Sequence, residues 1–223
     1  MPARIALLGA ESTGKTTLSQ ELDARLRARG LRVAVVPEAL RQWCARAGRL
    51  PGPEEHLAIA QTQERQVDEA ARDADIVIAD TTALMVAIYG ARLHPDDEVH
   101  TFALERQRTY DLNLLTGLDL PWVDDGLHRS GPSSREAVDA LVREGLARAG
   151  VGWRVVYGSG EERVSQALQA VAAVLPWAWQ AAATDAETAR WSRLRAQCEK
   201  CGDADCEHRL FTGLTSPPTA SPN

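Results

Sequence analysis

Short apolar runs alternate along the chain with segments whose apolar residues recur every three or four positions. In the first of these segments, Leu18, Leu22 and Leu26 share one face of a predicted helix. Strands that alternate with helices predict a parallel sheet covered by helices on both faces. The five predicted strands are residues 4–8, 31–36, 75–79, 111–115 and 153–157.

Helices are predicted between and after these runs. The longest helical segment contains Pro51-Gly52-Pro53, which must interrupt it. Two capping boxes, in which a serine precedes a glutamate by three positions, mark later helix starts at Ser133 and Ser159. The predicted helical segments are 15–29, 38–74 with this break, 82–92, 96–108 and those that follow the two serines.

The pattern changes after residue 175. Residues 176–210 are predicted to be a helical appendage, rich in alanine and tryptophan, that carries a cluster of cysteines. Residues 211–223 are rich in serine and proline and are predicted to be disordered. We therefore expect one α/β domain over residues 1–175, with a small C-terminal addition.

Composition narrows the class of protein. The chain has 223 residues, of which 44% are apolar, enough for a core that needs no disulfide or metal. A formal net charge of -6 argues against a general nucleic-acid binder and against attachment to anionic lipid. No apolar stretch approaches the roughly 18 residues of a membrane span, and the N-terminus lacks a signal-peptide pattern. We expect a cytoplasmic protein; nothing in the sequence indicates its oligomeric state.

Residues 9–16, Gly-Ala-Glu-Ser-Thr-Gly-Lys-Thr, fit the phosphate-loop pattern G-x-x-x-x-G-K-[ST] at every fixed position. Glycines let the backbone fold around an anion, and the following helix presents its positive N-terminal end to the phosphates. Lys15 supplies a compact cation for the terminal phosphates, and the Thr16 hydroxyl is a natural Mg²⁺ ligand. A solvated glycine turn is the alternative, but a strand precedes this loop and an amphipathic helix follows it. The predicted ATP-binding residues in the loop are Gly9, Ala10, Glu11, Ser12, Thr13, Gly14, Lys15, Thr16 and Thr17.

Several classes of phosphate-loop protein are excluded by missing motifs. Lys15 and Lys200 are the only lysines, so the N-K-x-D motif of guanine-specific GTPases cannot be present. The L-S-G-G-Q signature of ABC-type ATPases is also missing, and the chain is short for a ring-forming motor ATPase. Small-molecule kinases remain, because they place all their functional parts in one domain of this size.

Acidic residues and arginines stand where such a kinase needs them. Glu38 follows the second strand, at the sheet edge where ligands bind, and is predicted to take the acceptor hydroxyl. Asp80 closes the third strand and is predicted to organise Mg²⁺ together with Thr16. Arg129 and Arg135 flank a glycine–proline pair in a polar segment. We predict that this segment forms a hinged lid over the phosphates. The alternatives are a helix cap for each carboxylate and a solvated surface position for each arginine.

Five segments together resemble the ribosylnicotinamide kinase (NadR) family. The most distinctive contains Asp119-Leu-Pro-Trp-Val-Asp-Asp-Gly126, because the phosphate loop alone is shared by a vast superfamily. The resemblance covers about residues 4–175. The segments are Gly9–Leu18, Val36–Arg41, Ile76–Thr81, Tyr110–Gly126 and Gly158–Arg163.

The resemblance implies a nucleoside-kinase-like P-loop fold with a central parallel sheet. It implies that ATP and Mg²⁺ are used to phosphorylate nicotinamide riboside to nicotinamide mononucleotide, a step of NAD salvage, and that Ser159 lies near adenine. The Trp122 ring either stacks on the cationic nicotinamide ring or packs at the base of the lid. The residues implied on the acceptor side are Glu38, Arg41, Trp122 and Asp124 or Asp125.

Two other functions stay open. The segment Pro37-Glu-Ala-Leu-Arg41 lacks the aromatic residue of the family's Pro-Glu-Tyr-Ala-Arg and is also reminiscent of deoxynucleoside kinases. A kinase of another nucleoside or nucleotide is therefore the nearest alternative. A non-kinase ATPase, or a nucleotide-dependent switch that signals to a protein partner, is the alternative from a different class.

Cys198, Cys201, Cys206 and His208 supply three thiolates and an imidazole within eleven residues. These are the ligands that a tetrahedral structural Zn²⁺ site prefers, and four protein ligands leave no open position for catalysis. We predict a small zinc knuckle; free thiols or a disulfide are the alternatives.

Overall fold

The strands form a single parallel sheet, as the alternation of apolar runs and helices predicts. The computed structural model describes residues 2–91, 97–123 and 134–178. Its sheet has the strand order β2-β3-β1-β4-β5, and every neighbouring pair is parallel. The strands are β1 (Ala3–Leu8), β2 (Val33–Val36), β3 (Ile76–Asp80), β4 (Leu112–Thr116) and β5 (Arg154–Val156).

Seven helices lie within the described residues, and their bounds agree with the predicted segments to within a few positions. The long predicted segment is indeed broken, since Pro53 opens a new helix and Glu55 accepts the Gly52 N–H at 2.7 Å. The helices are α1 (Lys15–Arg27), α2 (Ala39–Ala47), α3 (Pro53–Ala70), α4 (Ala83–Ala91), α5 (Asp97–Gln107), α6 (Arg135–Ala149) and α7 (Gly160–Val174).

Alternate residues of the central strand β1 pack against different helical layers. Ile5 and Leu7 lie in one apolar cluster with Leu22 of α1 and with residues of α7. Ala6 and Leu8 lie in a second cluster with residues of α4 and α6. The residues of both clusters are almost fully buried. This explains why each strand is a nearly continuous apolar run in the sequence, as expected for a sheet covered by helices on both faces.

A third apolar cluster fixes the helices that follow β2 and β3. Leu40 of α2, Ile59 of α3 and Val86 of α4 are buried together with Val99 and Ala103 of α5. This cluster places α3 between α2 and α4, so that its side chains reach the first turns of both.

The strand register brings the predicted site residues to one edge of the sheet. Leu7 pairs with Asp80, and Val36 pairs with Ala79, so the carboxyl ends of β1, β2 and β3 lie side by side. Leu8 pairs with Leu115, which adds the end of β4 to the same edge. Ligands bind at this edge in open parallel sheets.

Some predictions lie partly or wholly outside the described residues. The chain divides into two units, Met1–Trp179 and Gln180–Asn223, and every described residue belongs to the first. The predicted zinc ligands and the 211–223 tail lie outside the described residues, and the boundary at 175 stays a prediction. Among the described helices, none is long and apolar enough to cross a membrane.

The two predicted capping boxes have different outcomes. Ser159 is the N-cap of α7, as predicted, but its side chain makes no capping hydrogen bond, so the box itself is wrong. The N-cap of α6 is Ser134 rather than Ser133, which lies outside the described residues.

Candidate active site

The phosphate loop connects β1 to α1 and is fastened to β4. Gly9 has φ +142° and lies so close to Thr116 that a Cβ at position 9 would overlap the Thr116 hydroxyl. The hydroxyls of Thr13 and Thr116 share a hydrogen bond of 2.7 Å, and Thr13 also donates to the Ala10 carbonyl at 2.8 Å. The loop is therefore a shaped cradle whose first turn admits no side chain at Gly9.

The Lys15 ammonium lies inside this cradle. Its Nζ donates to the carbonyls of Gly9 at 3.0 Å and Ala10 at 2.7 Å, and the side chain is buried. A cation that lies within the loop, at the N-terminal end of α1, stands where the terminal phosphates of a nucleotide would bind.

Thr16 and Asp80 form the second contact across the site. The Thr16 hydroxyl donates to Asp80 Oδ2 at 2.6 Å, and the carboxylate is buried at the end of β3. One hydroxyl and one carboxylate oxygen fit Mg²⁺, which takes few protein ligands and completes its shell with waters and substrate phosphates. The described residues hold no group of three or more His, Cys, Asp or Glu side chains that could bind a metal without such help.

Glu38 lines the same cleft from the end of β2, with β3 between it and the strand that leads into the phosphate loop. It precedes α2 as its N-cap residue, yet its side chain makes no capping hydrogen bond, so the helix-cap alternative is wrong for this carboxylate. Arg41 approaches it, with 3.4 Å between Arg41 Nε and Glu38 Oε2. A cavity of about 440 Å³ is lined by loop residues 12–17 together with Glu38, Arg41 and Leu120.

A second cavity of about 320 Å³ lies between α1 and α7, lined by Gly14, Thr17, Leu120 and Ser159 among others. Arg163 lines it as well and is only 4% exposed. Its Nη1 donates to the Gly158 carbonyl at 2.9 Å, whereas Nε and Nη2 have no hydrogen-bond partner among the described residues. Burial lowers the pKa of this guanidinium.

Arg163 is the functional candidate that motif reasoning missed. The only signal for it was its place at the end of the Gly158–Arg163 segment, because nothing in an isolated arginine shows that it will be buried. Two unpaired donors on a buried cation are costly unless a ligand accepts from them. This arginine therefore belongs with the candidate binding residues.

The segment after β4 lies along both cavities. The Val123 N–H donates to Ser12 Oγ at 2.7 Å, and the Gly158 N–H donates to Asp119 Oδ2 at 2.6 Å. Leu120 lines both cavities. The segment thus touches the phosphate loop at one end and the β5–α7 loop at the other.

The predicted lid residues are only partly described. Arg135 begins α6 and is buried, and its Nη1 donates to the Leu120 carbonyl at 2.9 Å. Within the part of the chain that the structure describes, its Nε and Nη2 have no partner. Trp122 is half-buried, which leaves its stacking role a prediction. Arg129, Asp124 and Asp125 lie outside the described residues.

Glu11 has an unusual environment for a residue of an anion-binding loop. Its side chain is only 3% exposed, and no described residue donates a hydrogen bond to its Oε2. A carboxylate repels phosphate, so the part of Glu11 suited to ATP is its backbone rather than its side chain.

A buried polar network holds the turn that follows β3. Glu64 of α3 accepts the Ala83 N–H at 2.9 Å and the Tyr110 hydroxyl at 3.1 Å, and Arg106 Nε lies 3.4 Å from it. Arg106 also donates to Asp68 at 2.8 Å. The network ties α3 to the first residue of α4, a few positions beyond Asp80.

This network predicts a pH effect on stability. Burial raises the pKa of Glu64 above its ordinary value of 4.5, so the folded protein holds this proton more tightly than the unfolded chain does. The stability that protonated Glu64 contributes is fully present at a pH below its ordinary pKa. It is lost as the pH rises through the raised pKa of the folded protein. The Glu64→Gln variant has no titrating carboxyl group at this position, and its amide oxygen can still accept the Ala83 N–H.

We therefore expect wild type to lose melting temperature relative to Glu64→Gln as the pH rises from the ordinary glutamate value through the raised pKa of Glu64. Thermal unfolding of both proteins over this range measures the difference. Arg106, Tyr110 and Asp68 are common to both proteins, so their contributions largely cancel. A difference that is constant with pH, or that changes in the opposite direction, would contradict the prediction.

Two solved structures of proteins with bound ligands have the same fold as this chain. A crystal structure described as NadR protein in complex with NAD and AMP-PNP superposes with a TM-score of 0.59 at 20% identity, covering 78% of this chain and 49% of that one. A structure of NadR protein in complex with NR gives a TM-score of 0.61 at 19% identity, covering 78% of this chain and 50% of that one. The chain thus spans about half the length of these proteins.

No curated protein matches the chain significantly in sequence. A protein-family model described as an AAA domain matches residues 4–163, a stretch that begins within β1 and ends in the first turn of α7. This match contains the phosphate loop, Glu38, Asp80 and Arg163, and it covers more than two thirds of the 223 residues. The chain therefore belongs to the AAA-domain family of P-loop proteins.

Proposed function

We propose that this protein is a kinase that transfers a phosphoryl group from ATP to a nucleoside, with nicotinamide riboside as the favoured acceptor. One observation carries the proposal: a single cavity is lined by the phosphate loop on one side and by Glu38 and Arg41 on the other. An ATPase needs only the first wall. A second wall with a buried carboxylate that caps no helix provides a place for a second substrate.

The donor side follows from the loop geometry. Lys15 would neutralise the terminal phosphates, and Thr16 with Asp80 would hold Mg²⁺, which supplies charge neutralisation at the transferring phosphoryl group. Arg135 is proposed as one lid arginine, because two of its guanidinium nitrogens have no partner among the described residues and the third donates to Leu120, which lines the cavity. Arg129 is proposed as the second lid arginine.

On the acceptor side, Glu38 would accept the proton of the attacking hydroxyl. Arg41, Trp122 and Asp124 or Asp125 would orient the nucleoside. Nicotinamide riboside is favoured because the motifs resemble those of its kinases and because one structural neighbour is described as a complex with NR. The protein would then act in NAD salvage.

The cavity between α1 and α7 is proposed to bind the adenine of ATP, with Ser159 at its edge. Replacing Arg163 by methionine should raise the KM for ATP by about 10–100-fold, since a hydrogen bond from a charged donor is lost, while the acceptor KM stays constant. Arg25→Met is the matched control. Arg25 lines the same cavity but forms an exposed ion pair with Glu161, so its loss should change the KM little. Equal effects of the two variants on the KM for ATP would show that Arg163 is not part of the adenine site.

Glu38→Gln tests the acceptor side. The amide keeps the shape of the side chain but cannot take a proton, so kcat should fall by about 10²–10⁴-fold. Affinity for ATP should be unchanged, because the carboxylate lies on the other wall of the cavity. Glu69→Gln, on the exposed side of α3, is the control for loss of a carboxylate. An unchanged kcat would exclude Glu38 as the base.

The decisive experiment is a mass-spectrometric assay with ATP, Mg²⁺ and a panel of nucleosides that includes nicotinamide riboside. Formation of nicotinamide mononucleotide supports the full proposal. Phosphorylation of a different nucleoside would keep the kinase and correct the acceptor. Binding of ATP with no phosphorylated acceptor would overturn the kinase proposal and direct attention to a protein partner.

A further inference from the structure

Two adjacent side chains of α3 each reach the start of a different helix. Gln63 is 0% exposed, and its Oε1 accepts the N–H of Ala39, the first residue of α2, at 2.7 Å. Glu64 is 2% exposed, and its Oε1 accepts the N–H of Ala83, the first residue of α4, at 2.9 Å. These helices follow the two strands that end near the candidate site carboxylates.

Helix starts ordinarily take their acceptors from the residues just before them. The first N–H groups of a helix have no partner within it, and a short polar side chain near the N-cap commonly satisfies one of them. Glu38 stands at the N-cap of α2 and yet makes no such bond. Before α4, the Thr82 hydroxyl accepts the Leu84 N–H at 3.3 Å, which leaves the Ala83 N–H to Glu64, while Asp80 accepts the Thr16 hydroxyl.

We propose that Gln63 and Glu64 are positioning residues, which cap α2 and α4 from outside and so keep Glu38 and Asp80 available to the site. The inference rests on the proposed function for the roles of the two carboxylates. It assigns Gln63 to the acceptor side, through Glu38, and Glu64 to the metal side, through Asp80.

The turn after Asp80 shows why its helix needs an external anchor. Thr81 has φ +75°, a left-handed conformation that a β-branched residue adopts only when its surroundings hold it there. Its N–H donates to the Leu7 carbonyl at 3.1 Å on one side of the turn. On the other side, Glu64 holds Ala83, and the Thr82 hydroxyl donates to Gln107 at 2.7 Å. Loss of one anchor allows Thr81 to relax and Asp80 to leave Thr16.

Gln63→Met tests the first half of the proposal. Methionine fills the same space but cannot accept the Ala39 N–H. We expect hydrogen exchange at Ala39 to accelerate, the Glu38 side chain to fold back onto the first turn of α2 in a crystal structure, and the acceptor KM to rise about tenfold with the ATP KM unchanged. Val67→Ala, a buried α3 residue without a capping bond, controls for lost stability and should leave both KM values unchanged.

Glu64 variants test the second half. Glu64→Gln keeps the acceptor oxygen and should bind an ATP analogue with the Mg²⁺ dependence of wild type. Glu64→Met removes the acceptor and should need about tenfold more Mg²⁺ for the same binding. A Glu64→Met protein that binds the analogue with the Mg²⁺ dependence of wild type would overturn the metal-side half. If this variant does not fold, Ala83→Pro takes its place, because it removes the N–H that Glu64 accepts at a helix position that tolerates proline.

The outcomes separate this proposal from the kinase function. Hydrogen exchange, the Glu38 position and Mg²⁺-dependent analogue binding need no turnover, so they remain informative if no nucleoside is phosphorylated. Faster exchange with a displaced Glu38 supports positioning by Gln63. An unmoved Glu38 in Gln63→Met, or parallel effects of Gln63→Met and Val67→Ala on both KM values, would overturn it.

Discussion

Replacing Lys15 by methionine should reduce phosphoryl transfer by at least about 10²–10³-fold, the loss that follows removal of one preorganised charge-stabilising group. The ammonium is already within the phosphate loop, bonded to the Gly9 and Ala10 carbonyls, so it needs little reorganisation to meet developing negative charge. The fall should appear mainly in kcat. Steady-state kinetics with ATP and the acceptor identified by the nucleoside panel measure it.

Two further variants sharpen the Lys15 result. Lys200→Met removes the chain's other lysine and should leave the rate unchanged. Lys15→Arg keeps the charge but replaces a compact ammonium by a broad planar group, so it should restore little activity in so narrow a loop. Full activity of Lys15→Met would show that the loop does not bind the transferred phosphate.

Gly9→Ala should have the largest effect on stability, with a loss of roughly 2–5 kcal/mol in the free energy of unfolding. Two costs add: φ +142° is unfavourable for any side chain, and the new Cβ overlaps the Thr116 hydroxyl. Because Thr116 also binds Thr13, the phosphate loop itself should be displaced. Denaturant unfolding measures the first effect, and the affinity for an ATP analogue measures the second.

Gly48→Ala separates the two costs. Gly48 has φ +68°, but a Cβ there would meet no described residue within 4 Å, so only the backbone cost of about 1–2 kcal/mol should remain. Adding Thr116→Ala to Gly9→Ala should recover part of the lost stability by removing the overlapping hydroxyl. If Gly9→Ala cost no more than Gly48→Ala, the close contact with Thr116 would not matter.

Much of the fold and part of the site could be predicted, because they depend on local patterns. The five apolar runs became the five strands, and the Pro51-Gly52-Pro53 break became a helix boundary, since strand burial and proline geometry act within a few residues. The phosphate-loop pattern identified Lys15 and Thr16. The sequence predicted Glu38 and Asp80 at strand ends, and the structure brings both to one edge because the ends of parallel strands meet there; their roles stay proposals.

The support for these residues could not be predicted. Gln63 and Glu64 look like ordinary polar positions of α3, and only the packing of α3 between two helices brings them to Ala39 and Ala83. Arg163 likewise becomes notable only through burial. The Ser159 capping box was also wrong, since Ser159 is the N-cap of α7 but makes no side-chain capping hydrogen bond.

The position of Leu120 between the two cavities affects how two ligands would bind at the same time. Leu120 lines both the cavity beside Glu38 and the cavity beside Arg163, so the two cavities share a wall. A ligand that shifts this wall from one side changes the room available on the other. Thermodynamic linkage then requires reciprocity: the factor by which a bound nucleotide changes acceptor affinity is the factor by which bound acceptor changes nucleotide affinity.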